Sequence, residues 1–477
     1  MSRAPLSAVL AALALACASH AQDFSHPETR PAPQTPLIQQ ANDALSSGDY
    51  AAALRILTTL NAQLPNNPQV LYNLGLALDA LSDTAPVANA PVLSASPADV
   101  SSSSGSAPAP ATAEAAYRAA IVADATFAQP HVALGLLLAR NGRTAAARDE
   151  LNAALALPNL APALKARALR ALARLELSGT GDRAHSLPSN PAAASADLLA
   201  ALKLSPEEPE DILLSAEIAE AAPDLPAAEA AYRRYLALPE GANDPATTAA
   251  LAHILLAQHK AADAEALLMP AHTAQPQNPA FTAQLAQAWL DSGDPAKIAR
   301  AVPLLEFLHT ANPANPAITR LLARVYVATG KPDQAGPLYA SLVNGQLSPD
   351  PTLVTDYADL LIRQRRPAEA EKLLKQALAK PHSYPTPADL SDAAMHLAFA
   401  AQDIDDPKTT LQALALSATV QPPSPSALYL EATADEALHQ SSQAAEAYKK
   451  FLAASAGRFP QQESQARQRL AVLQHAK

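Results

Sequence analysis

One spacing recurs along this chain: a bulky residue, then a Leu followed directly by Gly or Ala, then another bulky residue. Leu71, Leu74, Gly75 and Leu78 show it, as do His131, Leu134, Gly135 and Leu138. It returns as Leu285, Ala286 and Trp289, and as Leu322, Ala323 and Tyr326. A second short apolar segment follows each time, giving a unit of about 34 residues, the period of stacked helix pairs. A length of 477 residues would otherwise imply about three globular domains. Repetition overrides that prior, because a stack grows by adding units that touch only their neighbours.

Composition agrees with helices. The chain is 49% hydrophobic but only 4% aromatic, and much of the apolar content is Ala and Leu, which are strong helix formers. With 43 Pro against 13 Gly, the prolines are expected between helices, where they end one and start the next. No sustained alternation of β-branched and polar residues marks a strand, so the expected class is all-α.

The first pair, about 36 to 65, carries Ala41 as its small contact residue, Gly48-Asp49-Tyr50 as its turn, Ala53 and Leu57 on the second helix, and Pro65 at its end. These residues resemble the tetratricopeptide repeat family closely in identity and spacing. The resemblance covers residues 36 to 455 apart from two insertions, and implies a right-handed α-solenoid of about eleven helix–turn–helix units. The second unit is interrupted by Ser/Ala/Pro-rich sequence at 83–111, which buries too little apolar surface to offset the entropy of ordering it. A shorter insertion is expected at 178–191, and residues 456–477 are expected to cap the stack with a helix. His259 and Arg365 stand where the turn glycine is expected, and about three extra residues fall around 295 to 300. Irregular turns are expected at those places.

The start of the chain reads as a targeting segment. Arg3 supplies a positive charge, Leu6 to Ala16 an apolar core, and Ser19-His20-Ala21 small residues ahead of a cleavage point. Residues 1–21 are therefore expected to be a signal peptide and 22–35 a polar linker, with export to the periplasm or outer-membrane periphery of a bacterium. Cys17, the one cysteine, is a possible lipidation point, because Ala14-Leu15-Ala16-Cys17 resembles a lipoprotein processing site. Cleavage after Ala21 would instead remove it. No other stretch is apolar and long enough to cross a membrane. The net charge of −11, without a long basic run, argues against nucleic acid as a partner.

Motifs for chemistry are missing. The twelve histidines include no His-Glu-x-x-His arrangement, and His253 and His259 do not share a helical face. Asp403, Asp405 and Asp406 lack the Gly and distal Glu of a calcium loop and read as a turn before Pro407. Gly179-Thr180-Gly181-Asp182 lacks the Lys and strand of a phosphate loop. There is no Gly-x-Ser-x-Gly elbow, and no cofactor is expected.

What remains is surface. In the family that this chain resembles, the first helix of each pair lines a concave groove along which partner peptides lie. That face maps onto Asn42, Tyr72, His253, Arg320, Arg324, Asp359 and Arg363. Arg320 and Arg324 share one helix face, and with Arg363 they could grip a carboxylate terminus or acidic segment. The alternative is that these arginines pair with neighbouring acids such as Asp359. A second basic face, Arg167, Arg170 and Arg174, is open in the same way. The expected function is a non-catalytic protein-binding scaffold of the cell envelope. The alternative is an enzyme, or an enzyme's accessory subunit, with a site on the inner surface.

Overall fold

The computed structural model describes residues 36–84, 110–158, 160–179, 188–345 and 349–475. The signal peptide, the linker, Cys17 and most of both expected insertions lie outside them. Among the described residues there are 23 α-helices, one short 3₁₀ turn and no strand. Each of two units is an all-α solenoid stack of helices packed in consecutive pairs. The chain divides into two compact units at Ile254/Leu255.

Unit 1 contains α1 (Pro36–Ser46), α2 (Tyr50–Gln63), α3 (Pro68–Thr84), α4 (Ala113–Ala123), α5 (Ala128–Arg140), α6 (Thr144–Ala156), α7 (Pro162–Ser178), α8 (Pro191–Leu202), α9 (Pro209–Ala221) and α10 (Leu225–Leu236). The division falls inside α11 (Pro245–Ala257). Unit 2 contains α12 (Ala261–Ala274), α13 (Pro279–Asp291), α14 (Pro295–Ala311), α15 (Pro316–Ala328), α16 (Pro332–Asn344), α17 (Pro351–Arg363), α18 (Pro367–Leu378), α19 (Pro387–Asp403), α20 (Pro407–Ala418), α21 (Pro425–Ala437), α22 (Ser441–Ser455) and α23 (Pro460–His475). Each odd-numbered helix from α1 to α9 and from α13 to α21 packs against the even-numbered helix that follows it. These odd-numbered helices are the first helices of their pairs.

The pairs close on small residues. Ala41, Ala216, Ala286, Ala323, Ala358, Ala398 and Ala432 on first helices have almost no exposed surface, as do Ala53, Ala147, Ala228, Ala301, Ala335, Ala370 and Ala444 on second helices. A methyl group at such points lets two backbones approach, and larger side chains one turn away fill the grooves left open. Leu57, Leu151, Tyr232, Leu305, Tyr339, Leu374 and Tyr448 do this on the second helices and are almost fully buried. Where the small residue is Gly the fit is tighter. A Cβ on Gly135 would lie 2.7 Å from Leu151 Cγ and 3.2 Å from the Ala147 carbonyl oxygen, and one on Gly75 would collide with the Tyr117 ring.

Helix starts follow from local chemistry. Pro opens most first helices, where a missing N–H costs nothing. The preceding Asn or Asp accepts from the first free N–H groups, as Asn278 does from Ala280 at 3.0 Å, Asn315 from Ala317 at 3.0 Å and Asp350 from Thr352 at 2.9 Å. Second helices divide into two kinds. Asp49, Asp224, Asp294 and Asp406 cap them by the same bond, whereas Arg143, Lys260, Lys331, Arg366 and Gln440 hold the equivalent position without one.

The expectation of irregular turns at His259 and Arg365 is corrected. Both residues take the left-handed conformation of the turn glycines, with φ of 59° and 61° against 68° at Gly293 and 71° at Gly330. The bond that closes the turn is retained as well: Arg366 N–H donates to the Leu361 carbonyl at 2.9 Å, as Lys331 does to Tyr326 at 2.8 Å. Packing on either side of the turn outweighs the steric cost of roughly 1–2 kcal/mol for a side chain there. The extra residues near 295 to 300 also leave the turn regular, with Gly293 left-handed as elsewhere, and are absorbed into the 17-residue helix α14.

The last helix, α23, lays Ala466 and Leu473 on a cluster formed by Leu428, Tyr448 and Phe451. Two predictions follow from these contacts. Gly135→Ala should destabilise the chain by about 1–3 kcal/mol through overpacking, read as a lower denaturant midpoint. Lys331→Asp should stabilise it by about 1 kcal/mol by supplying the missing cap, read in the same assay.

Candidate functional site: the face of the first helices

The residue directly after each small contact residue lies about 100° further round its helix, and so turns off the seam with the second helix. In unit 1 this row includes Asn42, Glu217 and His253, and in unit 2 Gln287, Arg324, Asp359, Phe399 and Thr433. Within unit 2 these side chains stand on successive first helices, so they can reach one another across repeats. Much of the polar surface does so.

In unit 1, Asn73 of α3 donates to Asn42 of α1 at 3.2 Å, and Arg140 of α5 pairs with Asp79 of α3. Tyr72 is half-buried between repeats, edge-on to Phe127 at 5.4 Å and tilted against Tyr117 at 6.0 Å. Arg170 of α7 makes a two-pronged bond to Asp211 of α9, at 2.7 and 2.6 Å, and adds Ser205 at 2.8 Å and the Pro206 carbonyl at 2.9 Å. Asp211 is only 1% exposed, so this pair belongs to the interior. Arg174, one turn further along α7, has no carboxylate within ion-pair distance among the described residues. Burial pushes its pKa down against the pull of Asp211 and Glu217. Burial likewise pushes the Glu217 carboxyl up, against Arg174. Arg167 is exposed on α7, and His253 is exposed on α11.

In unit 2, Arg320 of α15 is held by Asp356 of α17 at 2.7 Å and by Asp350 at 3.0 Å, with Thr352 at 3.0 Å. Arg324, four residues on, donates among the described residues to the neutral Gln287 of α13, at 3.3 Å. Asp359 takes Arg363 at 2.8 Å and His396 of α19 at 3.5 Å. Of the seven groove residues named from sequence, the structure therefore ties Asn42, Arg320, Arg324, Asp359 and Arg363 to side chains of this chain, wedges Tyr72 between aromatic rings and leaves His253 exposed.

Sequence reasoning passed over Phe399. Among the described residues it is the one exposed large apolar side chain on a first helix, 39% exposed. It follows Ala398 as Arg324 follows Ala323 and Asp359 follows Ala358, so the register alone could have found it. The acids that hold Arg320 were also passed over, since nothing local joins positions 36 residues apart.

A shallow recess of about 370 Å³ at the His259–Lys260 turn is lined by Asp263, Glu265, Ser292 and Lys297. Glu265 there is occupied by Lys297 at 2.6 Å and by the Trp289 indole N–H at 3.0 Å, and the Lys297 bond, helped by Trp289, holds its pKa low against burial. Among the described residues, no group of three His, Cys, Asp or Glu could hold a metal ion, and no helix is long and apolar enough to cross a membrane.

Two stretches match family models described as tetratricopeptide repeat: residues 38–85 in unit 1 and residues 296–351 in unit 2. In those two stretches the chain is similar to tetratricopeptide repeats. Repeats of that description suggest a protein–protein interaction scaffold. No curated protein matches it in sequence. Solved structures that resemble it include a tetratricopeptide repeat protein from Parabacteroides merdae, at 15% identity and a TM-score of 0.38, covering 56% of this chain and 98% of that one. The hetero-tetramer Cut9–Hcn1 of the APC/C is similar at 12% identity and a TM-score of 0.43, over 92% of this chain and 84% of that one. The tetratricopeptide domain of P58(IPK) is similar at 13% identity and a TM-score of 0.33, over 93% and 98%. Likenesses this distant carry no argument about partners.

The two arginines of α7 and of α15 should behave oppositely on removal. Arg170→Ala strands the buried Asp211 charge and should cost about 3–5 kcal/mol. Arg324→Ala breaks one long bond to a neutral amide and should cost under about 1 kcal/mol. Urea unfolding of the two variants measures the difference.

Proposed function

We propose that this chain is an exported scaffold of a bacterial cell envelope that holds an extended segment or helix of another protein against its first-helix face. In unit 2, Arg324 is the point that receives a carboxylate of that partner. The observation that carries this reading is the state of the arginines on these first helices. Among the described residues, Arg320 and Arg363 are matched by carboxylates of this chain, whereas Arg324 bonds to an amide and is half-buried. A guanidinium so placed gains a charge-assisted, two-pronged bond when a carboxylate arrives. Phe399, two repeats further on, offers an apolar contact on the same face of the helices.

Export rests on the leader at the start of the chain: Arg3, the apolar run Leu6 to Ala16, and small residues up to Ala21. Mass spectrometry of the mature N-terminus tests this. A chain beginning at Gln22 or at a lipid-bearing Cys17 supports export, and one that retains residues 1–21 overturns it.

For the binding role, the full chain is used as bait in envelope extract beside two variants, Arg324→Glu and Arg365→Glu. Arg365 is an exposed turn residue off the row. The expected result is one stoichiometric partner, lost with Arg324→Glu and kept with Arg365→Glu. Equal retention by both variants refutes the role given to Arg324.

A further inference from the structure

His396 on α19 faces oxygen acceptors through both of its ring nitrogens. Nδ1 lies 2.8 Å from the backbone carbonyl oxygen of Asp392, and Nε2 lies 3.5 Å from Asp359 Oδ1. A neutral imidazole carries a single N–H. In that form one of the two contacts sets a nitrogen lone pair against an oxygen lone pair. The imidazolium, with two N–H groups, satisfies both. Asp359 stands on α17, the first helix of the preceding pair, and the two helices pack against each other. The contact therefore joins successive repeats.

We propose that His396 is a proton-operated tie between α17 and α19: charged, it bridges the two first helices through Asp359, and neutral, it lets that bridge go. The surroundings bear on the tie from three sides. Asp359 and its partner Arg363 come from α17, with Arg363 Nε on Asp359 Oδ2 at 2.8 Å, so that the arginine occupies the other oxygen and leaves Oδ1 to the imidazole. Asp392, one turn earlier on α19, adds its own negative charge. Charged groups of α18, α20 and α21 make no bond to the ring; Lys375 of α18 is taken up by Glu371 and Asp406.

The titration directions agree with this geometry. The Asp359 bond raises the His396 pKa and outweighs burial, which lowers it. Burial pushes the Asp359 carboxyl up, but His396 and Arg363 together hold it below its ordinary value. A histidine whose pKa is raised on folding stabilises the fold fully below its unfolded value, about 6.5, and loses that contribution as pH rises through its folded value. A carboxylate whose pKa is lowered loses its contribution as pH falls through its own folded value. The tie is complete between those two limits.

The test is a proton NMR titration of the histidine ring protons in the full chain, with exposed His253 as the internal reference. The expected result is a His396 midpoint above that of His253, shifted down by Asp359→Asn. Thermal unfolding from about pH 6 to about pH 8 gives an independent readout. The native chain should lose more stability over this range than His396→Gln does. A His396 midpoint at or below that of His253, or one indifferent to Asp359→Asn, overturns the proposal. The Asp359→Asn variant keeps the side chain's shape and the test intact should His396→Gln fail to fold.

Discussion

The closeness with which paired helices meet governs the rest of this structure. Fourteen alanines, seven on first helices and seven on second helices, sit at the points of contact with almost no exposed surface. Each removes bulk where two backbones would otherwise stand apart. Tyr339, Leu305 and Tyr448 then have room to fill the seam from one turn away. Because the seam is set by one small residue per helix, the same pair can be repeated with very different surface side chains. That freedom makes the face of the first helices variable enough to recognise something.

The ties between repeats are a second layer built on the first. Asn42 with Asn73, Arg170 with Asp211, Arg320 with Asp356, and Asp359 with His396 each join a first helix to its neighbour in the next pair. They differ in weight. The Arg170–Asp211 pair is buried and its loss leaves an uncompensated charge. The exposed pairs contribute less, and serve more to fix which side chain faces which.

This division explains what could be read from sequence. Helix pairs were legible because the signal is local: a small residue flanked by bulky ones, with Pro and Asn or Asp at the next helix start. Residues directly after the small contact residue, such as Phe399 after Ala398, were legible in principle from the same register. The partners of Arg320 and Arg170 were not, since they lie 36 and 41 residues away and no rule of spacing picks Asp356 over Asp359, or Asp211 over Glu217. The turns at His259 and Arg365 misled for a different reason. Glycine is the easiest residue for a left-handed position, but a turn clamped by helices on both sides imposes its conformation on whatever residue stands there.

The engagement of these side chains with one another also shapes how any visitor would be received. A ligand reaching Asp359 or Arg320 meets groups already bonded, so it must exchange hydrogen bonds rather than add them, and its net gain at those points is small. Contacts of that kind discriminate between shapes and charges more than they add affinity.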